Sequence, residues 1–529
     1  MALLAVLFGV AINSCAQEFQ PTVGNEHRTA DRQVIPAPAR DNIHYSLFTI
    51  HHALLPVAAR EYPPAAPPPA PYIMPAPALR VLRNGLRVVV VERHTLPVLT
   101  LRLVVAAGAE ADPAALPGTA QLVSEVLTEG TANRSARQIA DTIDSMGGLV
   151  DSGADWDSSY VTLTVLNDRE QLAFDLVADL SLHPAFAAPE VERKRKQTLS
   201  GLEVVRDDPA YLADAALRSV LFAGTAYSHP EDGTLQAVGG ITPEDLRAFH
   251  ARYYRPSTSI LAVVGDISTS VAFEQAEKYF ATWLEPREPP PPAPASSAVS
   301  RNGEPPVPQV VAIDKPDAVQ TEIRIGNPGA PRASADYYAL SVANQILGGP
   351  ASNRLFRALR TRQGLTYGAS SDLMCYRTLG GWVAKTFTRT PETLKALHES
   401  LDQTKSLRDN PISNSELEAA KGYLVGHLAL EFETSDQVAS QVLDLMTQGL
   451  PLDYWTHYPQ MIQALTTNEV WEATKRCLTP DRSVIILVGN VDGFRKDLKK
   501  FGDVRVIPLA DVDFASPNLE HTGKGAGKP

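Results

Sequence analysis

Cysteine is scarce: the chain of 529 residues holds only Cys15, Cys375 and Cys477. None stands in a C-x-x-C spacing, which removes the common cysteine-based metal and redox sites from consideration. At most one disulfide, Cys375 to Cys477, is open to the chain beyond its leader; two buried free thiols are the alternative. A basic surplus is also missing. Lys+Arg number 48 against 60 Asp+Glu, a net charge of -12, and a phosphate-binding face needs the opposite balance. Neither H-x-x-E-H nor H-E-x-x-H occurs among the 12 histidines. The adjacent His51 and His52 lie in a stretch without sustained period and read as solvated rather than metal-binding.

Apolar residues at 44% and charged residues at 20% fit a soluble globular protein. The length exceeds what one hydrophobic core fills and suggests about two to four domains.

The first residues carry an apolar run from Ala2 to Ile12. It is too short to cross a bilayer as a helix but suits the apolar region of an export signal, although no basic segment precedes it. Two exits fit. Ile12-Asn13-Ser14-Cys15 is similar to a bacterial lipobox, making Cys15 a lipidation candidate and a membrane tether, with Asn13 unusual there. Ser14-Cys15-Ala16 is alternatively a small-x-small cleavage site. Residues 1–16 are thus expected to be a leader, and the protein periplasmic or envelope-anchored; a buried N-terminal helix is the competing reading.

Residues 17–78 show no sustained period and end in a stretch, YPPAAPPPAPYIMPAP, that lacks the backbone donors for helix or sheet and reads as a tether. A second proline-rich segment, 285–308, separates two parts of similar size, 79–284 and 309–515, and residues 516–529 read as a disordered tail. The two parts look like copies. Pro256 to Ile267 (PSTSILAVVGDI) closes the first and Pro480 to Val491 (PDRSVIILVGNV) the second, with proline, serine, an apolar run, glycine and Asp/Asn in register. Such a run reads as a buried central strand. Strands are also expected at 86–91, 99–105, 161–165, 310–313 and 320–325, and helices at 135–146, 189–205, 336–347 and 413–430. The last opens on a capping-box pattern, Ser413-x-x-Glu416. Each copy is therefore expected to be α+β, an antiparallel-type sheet with helices packed on it.

Several segments carry a family resemblance. Leu82 to Pro97 (LRNGLRVVVVERHTLP), Leu101 to Gly108, Pro117 to Ala120 (PGTA), Tyr253 to Ser257 (YYRPS), Val264 to Asp266 and Ile346 to Gly349 (ILGG) together resemble the pitrilysin/mitochondrial-processing-peptidase family over residues 79–510. The resemblance implies two homologous repeats of the LuxS/MPP-like metallohydrolase fold, forming half of a clamshell. Active members carry H-x-x-E-H on the helix after the Gly-x-Ala. Its two histidines bind zinc, its glutamate acts as base, and a distal glutamate on a later helix completes the ligand set. Here Gln121 stands at the first histidine, Ser124 at the base, Glu125 at the second histidine and Gly201 at the distal ligand. Arg206-Asp207-Asp208-Pro209 supports that register; sliding to Glu203 breaks the match. An amide is a poor zinc ligand, serine is no carboxylate base, and glycine offers no side chain.

Asn353 to Gly368 (NRLFRALRTRQGLTYG) is similar to the family segment that supplies a substrate-binding Arg/Tyr pair, here Arg360 and Tyr367. Such a pair contacts the substrate backbone near the scissile carbonyl. By local pattern alone, Arg360 could equally serve a helix C-terminus and Tyr367 a strand start. The resemblance also places Gly108 and the Ala106 to Asp112 neighbourhood near the first copy's edge strand. Together these features imply a non-catalytic, substrate-binding subunit that binds no metal itself. It would pair with a zinc-bearing family member acting on extended peptides in the cell envelope. The alternatives are a purely structural role, like that of respiratory-complex core subunits, or peptide binding without cleavage.

Overall fold

Two runs dominate the architecture, Ser259–Gly265 and Val484–Gly489, each buried along its whole length inside a six-stranded sheet. The computed structural model describes residues 75–289, 309–350, 353–514, 516 and 518–520, all within one compact unit, Pro68–Pro529. The leader, Cys15, the pair His51 and His52, and most of the tether and of the proline-rich linker lie outside the described residues.

The first sheet holds β1 (Ala78–Val81), β2 (Arg87–Glu92), β3 (Val98–Val105), β4 (Leu149–Ala154), β5 (Ser159–Leu166) and β6 (Ser259–Gly265), in the order β1-β2-β6-β3-β5-β4. The second holds β7 (Gln309–Asp314), β8 (Gln320–Gly329), β9 (Ala369–Cys375), β10 (Gly380–Arg389), β11 (Val484–Gly489) and β12 (Asp503–Pro508), in the order β12-β7-β11-β8-β10-β9. The sheets are the same design twice, mostly antiparallel. Parallel pairing enters between β2 and β6 in the first, and between β7 and both β11 and β12 in the second. Gly265 closes β6 at φ 141°, where a Cβ would stand 2.0 Å from the Val98 carbonyl oxygen, so the strand can end there only on glycine.

Helices of the first half are α1 (Thr119–Val126), α2 (Ala136–Ser145), α3 (Glu170–Leu182), α4 (Ala188–Val205), α5 (Pro209–Leu221), α6 (Leu235–Gly240), α7 (Pro243–Tyr253) and α8 (Thr269–Phe280). Those of the second are α9 (Tyr337–Gly348), α10 (Arg354–Phe356), α11 (Thr393–Asp409), α12 (Asn414–His427), α13 (Ser435–Thr447), α14 (Tyr454–Ala464), α15 (Thr467–Cys477) and α16 (Arg495–Leu498). The Ser413/Glu416 capping box forms as expected. Its helix stops at His427 and tightens into a 3-10 turn over Leu428–Phe432, a little different from the expected run to 430.

Both faces of each sheet are covered, and the cover is exchanged. Along β2, Val88 and Val90 face a core built with first-half helices, while Val89 and Val91 join a core that includes α13 of the second half. Helix α13 packs on β3 and β6 through Val438, Ala439 and Val442. Reciprocally, α5 of the first half packs on β8 and β11, its Leu212, Ala216 and Leu217 sharing a core with Val311, Ile313, Val484 and Ile486. Gly326 makes room for this, since a Cβ there would lie 2.5 Å from Leu217 Cδ1. Each such buried Leu or Val side chain contributes about 1.5–3 kcal/mol. The halves are thus separate as sheets but not as cores, which refines the expectation of a sheet and its own helices in each copy.

Of the segment read as a tail, residues 516 and 518–520 are described and pack onto the core through Leu519, and residues 517 and 521–529 lie outside the described residues. Ser516 and Leu519 are buried, the Leu519 N–H donates to the Ser516 carbonyl, and the Asp513 N–H donates to the Leu519 carbonyl 2.9 Å away. Apolar Leu519 joins the core that holds α5 rather than following its polar neighbours into solvent. Cys375 and Cys477 are free thiols; burial pushes them up to about 12 and about 11, which leaves them unreactive. No helix among the described residues is long and apolar enough to cross a membrane.

Candidate functional site

Helix α1 carries three of the four expected positions. Asp112 caps it, its carboxylate accepting from the backbone N–H of Gly118 at 2.6 Å and of Ala120 at 2.7 Å. Gly118, at φ 96°, lies against the Asp232 carbonyl with no room for a Cβ. Just beyond, the Gln121 amide nitrogen donates to Glu125 Oε1 at 3.0 Å. The Gln121 amide oxygen accepts the Ala154 backbone N–H at 2.7 Å, at the end of edge strand β4. Thr198 Oγ1, on α4, donates to Glu125 Oε2 at 3.2 Å. Ser124 is fully buried, and its hydroxyl bonds back to the Ala120 carbonyl at 2.9 Å.

Gly201 lies on α4 one turn beyond Thr198, with open space where a side chain would start. The helix thus brings the distal position to the face that meets Glu125, because residues three apart share a side. Thr198 is the α4 residue whose hydroxyl reaches Glu125 on α1. A lone threonine inside a charged helix left no signal in the sequence that could have pointed to it.

These residues do not fit a zinc ion. A zinc site needs three or four deprotonated N, S or O donors converging with their lone pairs free. Here one carboxylate is present, shared between an amide and a hydroxyl, and the amide oxygen is committed to β4. Among the described residues, no group of three or more His, Cys, Asp or Glu side chains is placed to hold a metal. What stands in its place is a hydrogen-bonded bridge that ties α1 to α4 and to β4.

The 106–112 segment meets the turn after β4. Ala109 and Glu110 donate their backbone N–H groups to the carbonyls of Asp155 and Trp156, and Gly108 lies so close that a Cβ would be 2.2 Å from Asp155 O. Glu110 is buried and pairs at 2.5 Å with Arg377 in the β9–β10 turn, whose backbone N–H donates to Asp157 at 2.9 Å. Tyr227 donates to the other Asp157 oxygen at 2.6 Å. Two hairpin tips, one from each sheet, are therefore clasped. Burial pushes the Glu110 carboxyl up to about 8 even with the Arg377 cation beside it.

Arg360 and Tyr367 come together in the second half. After α10 the backbone widens into a π-helical turn over Arg357–Arg362, a form that recurs at functional sites. The Leu365 N–H bonds back to the Leu359 carbonyl at 2.8 Å, and Gly364 at φ 61° reverses the chain. The Arg360 guanidinium then lies 4.3 Å from the Tyr367 ring centroid and 4.8 Å from that of Phe356. Tyr367 is 76% exposed, so the stack presents a cation and a phenol to whatever faces it. Among the described residues, no hydrogen bond or ring contact links the pair to Gln121 or Glu125.

Known proteins resemble this chain in sequence and fold. Residues 87–233 match the family model described as insulinase (peptidase family M16), and residues 240–424 match the model of the peptidase M16 inactive domain. An uncharacterized zinc protease of Mycobacterium tuberculosis is 30% identical over 380 residues, 72% of this chain and 85% of the relative. The uncharacterized zinc protease YmxG of Bacillus subtilis is 24% identical over 68% of this chain and 85% of its own length. The crystal structure of a peptidase M16 inactive domain from Pseudomonas fluorescens superposes with a TM-score of 0.72 at 29% identity, covering 78% of this chain and 97% of that one. A protease from Helicobacter pylori shares the fold at a TM-score of 0.72 and 19% identity, over 78% of this chain and 99% of its own.

Proposed function

The chain belongs to the peptidase M16 family, and from that premise we propose that it is the non-catalytic, substrate-binding subunit of a two-chain zinc peptidase. The observation that carries this reading is a contrast between its two halves. The α1 positions are consumed by bonds to one another, to β4 and to α4, whereas the Arg360–Tyr367 stack stays open to a partner.

In this reading a family member with an intact H-x-x-E-H closes over this chain and supplies the metal-bound water. An extended peptide lies between them, held by strand addition at a sheet edge. Arg360 contributes a fixed positive charge and Tyr367 a phenolic O–H. Both address the scissile carbonyl and stabilise the negative charge that develops on its oxygen when water attacks. Stacking keeps the guanidinium in one orientation before substrate arrives, so little ordering is left to do at the transition state. The apolar run 2–12 and the proline-rich segment that follows support an exported protein held at the cell envelope.

The test mixes the full chain with a zinc-bearing M16 chain from the same organism and follows peptide cleavage with and without chelator. Chelator-sensitive cleavage by the mixture, and none by this chain alone, is expected. Cleavage by this chain alone that a chelator abolishes would overturn the reading. A mixture no faster than the partner alone would favour the structural role instead.

A further inference from the structure

Strand β10 changes character along its length. Its residues alternate between two faces, and on one of them Trp382 and Ala384 pack into the second-half core. The next two positions on that face are Thr386 and Thr388, 4% and 1% exposed. A valine would fill the same space, and a buried hydroxyl is costly there unless it finds a partner. Each finds one, and both partners are carbonyls of the loop that presents Tyr367.

Pairing between β9 and β10 stops at Ala369, opposite Thr386. Before that point Gly364 reverses the chain at φ 61°, and residues 365–368 lead into β9 without a backbone ladder. The hydroxyls take over where the ladder ends. Thr388 Oγ1 donates to the Leu365 carbonyl at 2.7 Å, and Thr386 Oγ1 donates to the Gly368 carbonyl at 3.0 Å. Thr366 Oγ1 donates to the same Gly368 carbonyl at 2.8 Å. The loop is thus tied to β10 on both sides of Tyr367. Tyr367 itself is exposed and touches the Arg360 guanidinium, so its place is set by the backbone that carries it rather than by packing around its ring.

We propose that Thr386 and Thr388 are positioning residues for the Arg360–Tyr367 pair, their hydroxyls holding the loop so that the Tyr367 ring lies against the guanidinium before a peptide arrives. The inference rests on the substrate-binding reading above. Both threonines reach the reaction only through Tyr367. A displacement of about 1 Å in such a group is enough to cost about 100-fold in rate.

The experiment compares Thr388→Val and Thr386→Val, which keep the shape and remove the hydroxyl, with Thr388→Ser, which keeps the hydroxyl. Hydrogen–deuterium exchange of the full chain alone follows the peptide covering residues 363–369, and turnover is read with the zinc-bearing partner. Thr388→Val is expected to speed exchange in that peptide by about tenfold, the scale of one lost hydrogen bond. It should lower kcat by about five- to tenfold and leave KM within about twofold. Thr388→Ser should return both readouts to within about twofold of the unsubstituted chain. In a Tyr367→Phe background, Thr388→Val should lower kcat by less than about twofold more, because a hydroxyl that acts through the phenol has nothing left to place. Thr386→Val should follow the same pattern more weakly, since Thr366 keeps its bond to Gly368. Unchanged exchange in Thr388→Val overturns the inference whatever the activity. A loss of kcat that Thr388→Ser does not recover, or that is as large in Tyr367→Phe, overturns it too. No turnover by the mixture, or Arg360→Ala and Tyr367→Phe without effect on it, removes the pair's role and its positioning together. Silent threonine variants beside responsive Arg360 and Tyr367 variants remove the positioning alone.

Discussion

The Arg324 guanidinium on β8 donates to the Asp214 carboxylate on α5 at 2.7 Å, joining the second sheet to a helix of the first half. The same sequence interval that separates Arg102 from Arg324 separates Asp214 from Asp436, and Arg102 on β3 reaches Asp436 on α13 at 3.4 Å. The exchanged helices thus bring exchanged carboxylates, as expected of two repeats that swap equivalent elements. The two bonds are unequal in strength, because the Arg324 side chain is 5% exposed and that of Arg102 16%.

That inequality makes a stability prediction. Asp214→Ala leaves a buried guanidinium with Glu322 as its remaining carboxylate and should cost about 1–3 kcal/mol, whereas Asp436→Ala should cost at most about 1 kcal/mol. Urea unfolding of the two variants measures both; a larger loss for Asp436→Ala would contradict the asymmetry.

Metal removal should do nothing to the fold. Since the α1 bridge is made of hydrogen bonds and no metal-holding group is placed among the described residues, chelator is expected to leave the melting temperature of the isolated chain within about 1 °C. Glu125→Ala, which strips partners from Gln121 and Thr198, should by contrast cost about 1–2 kcal/mol. A chelator-induced drop of several degrees would show that a metal contributes after all.

The pH dependence of stability has a definite sign. Burial pushes Glu110 and Asp112 up to about 8, well above their values in an unfolded chain. The folded state therefore holds protons that the unfolded state has released, and stability falls as pH rises from about 4 towards 8. On the acid side, burial holds His250 down at about 4, so its contribution is lost as pH falls below about 6.5. Melting temperatures from pH 5 to 9 should decline on the alkaline side, and Glu110→Gln should flatten that limb. An unchanged slope in Glu110→Gln would remove Glu110 as its source.

Turnover should separate from folding at the exposed stack. In the reconstituted pair, Arg360→Ala and Tyr367→Phe are each expected to lower kcat/KM by about 10- to 100-fold. Urea midpoints should barely move for Tyr367→Phe, since the ring remains and its exposed hydroxyl bonds nothing among the described residues. Unchanged kcat/KM in both variants would leave the stack without a role in the reaction.

Much of the fold was legible in the sequence. Pro256 and Gly265, and Pro480 and Gly489, bracket apolar runs that read as interior strands, and the Ser413–Glu416 cap announces its helix because capping is local chemistry. The exchange of α5 and α13 was not legible. Periodicity tells which face of a helix seeks a core, and it is silent on which core receives it. The buried Leu519 was hidden for a related reason: one apolar residue in a polar segment has no pattern to read.

Which donors these four positions offer was settled by the residues before any folding. Gln121, Ser124, Glu125 and Gly201 carry one carboxylate between them, and packing does not change that. What those positions do instead is a property of the folded molecule. Whether Gln121 hangs in solvent or closes on Ala154 and Glu125, and whether Arg360 finds the Tyr367 ring, depends on where separate elements come to rest. Those distances are set by the packing of helices on sheets, which no local pattern encodes.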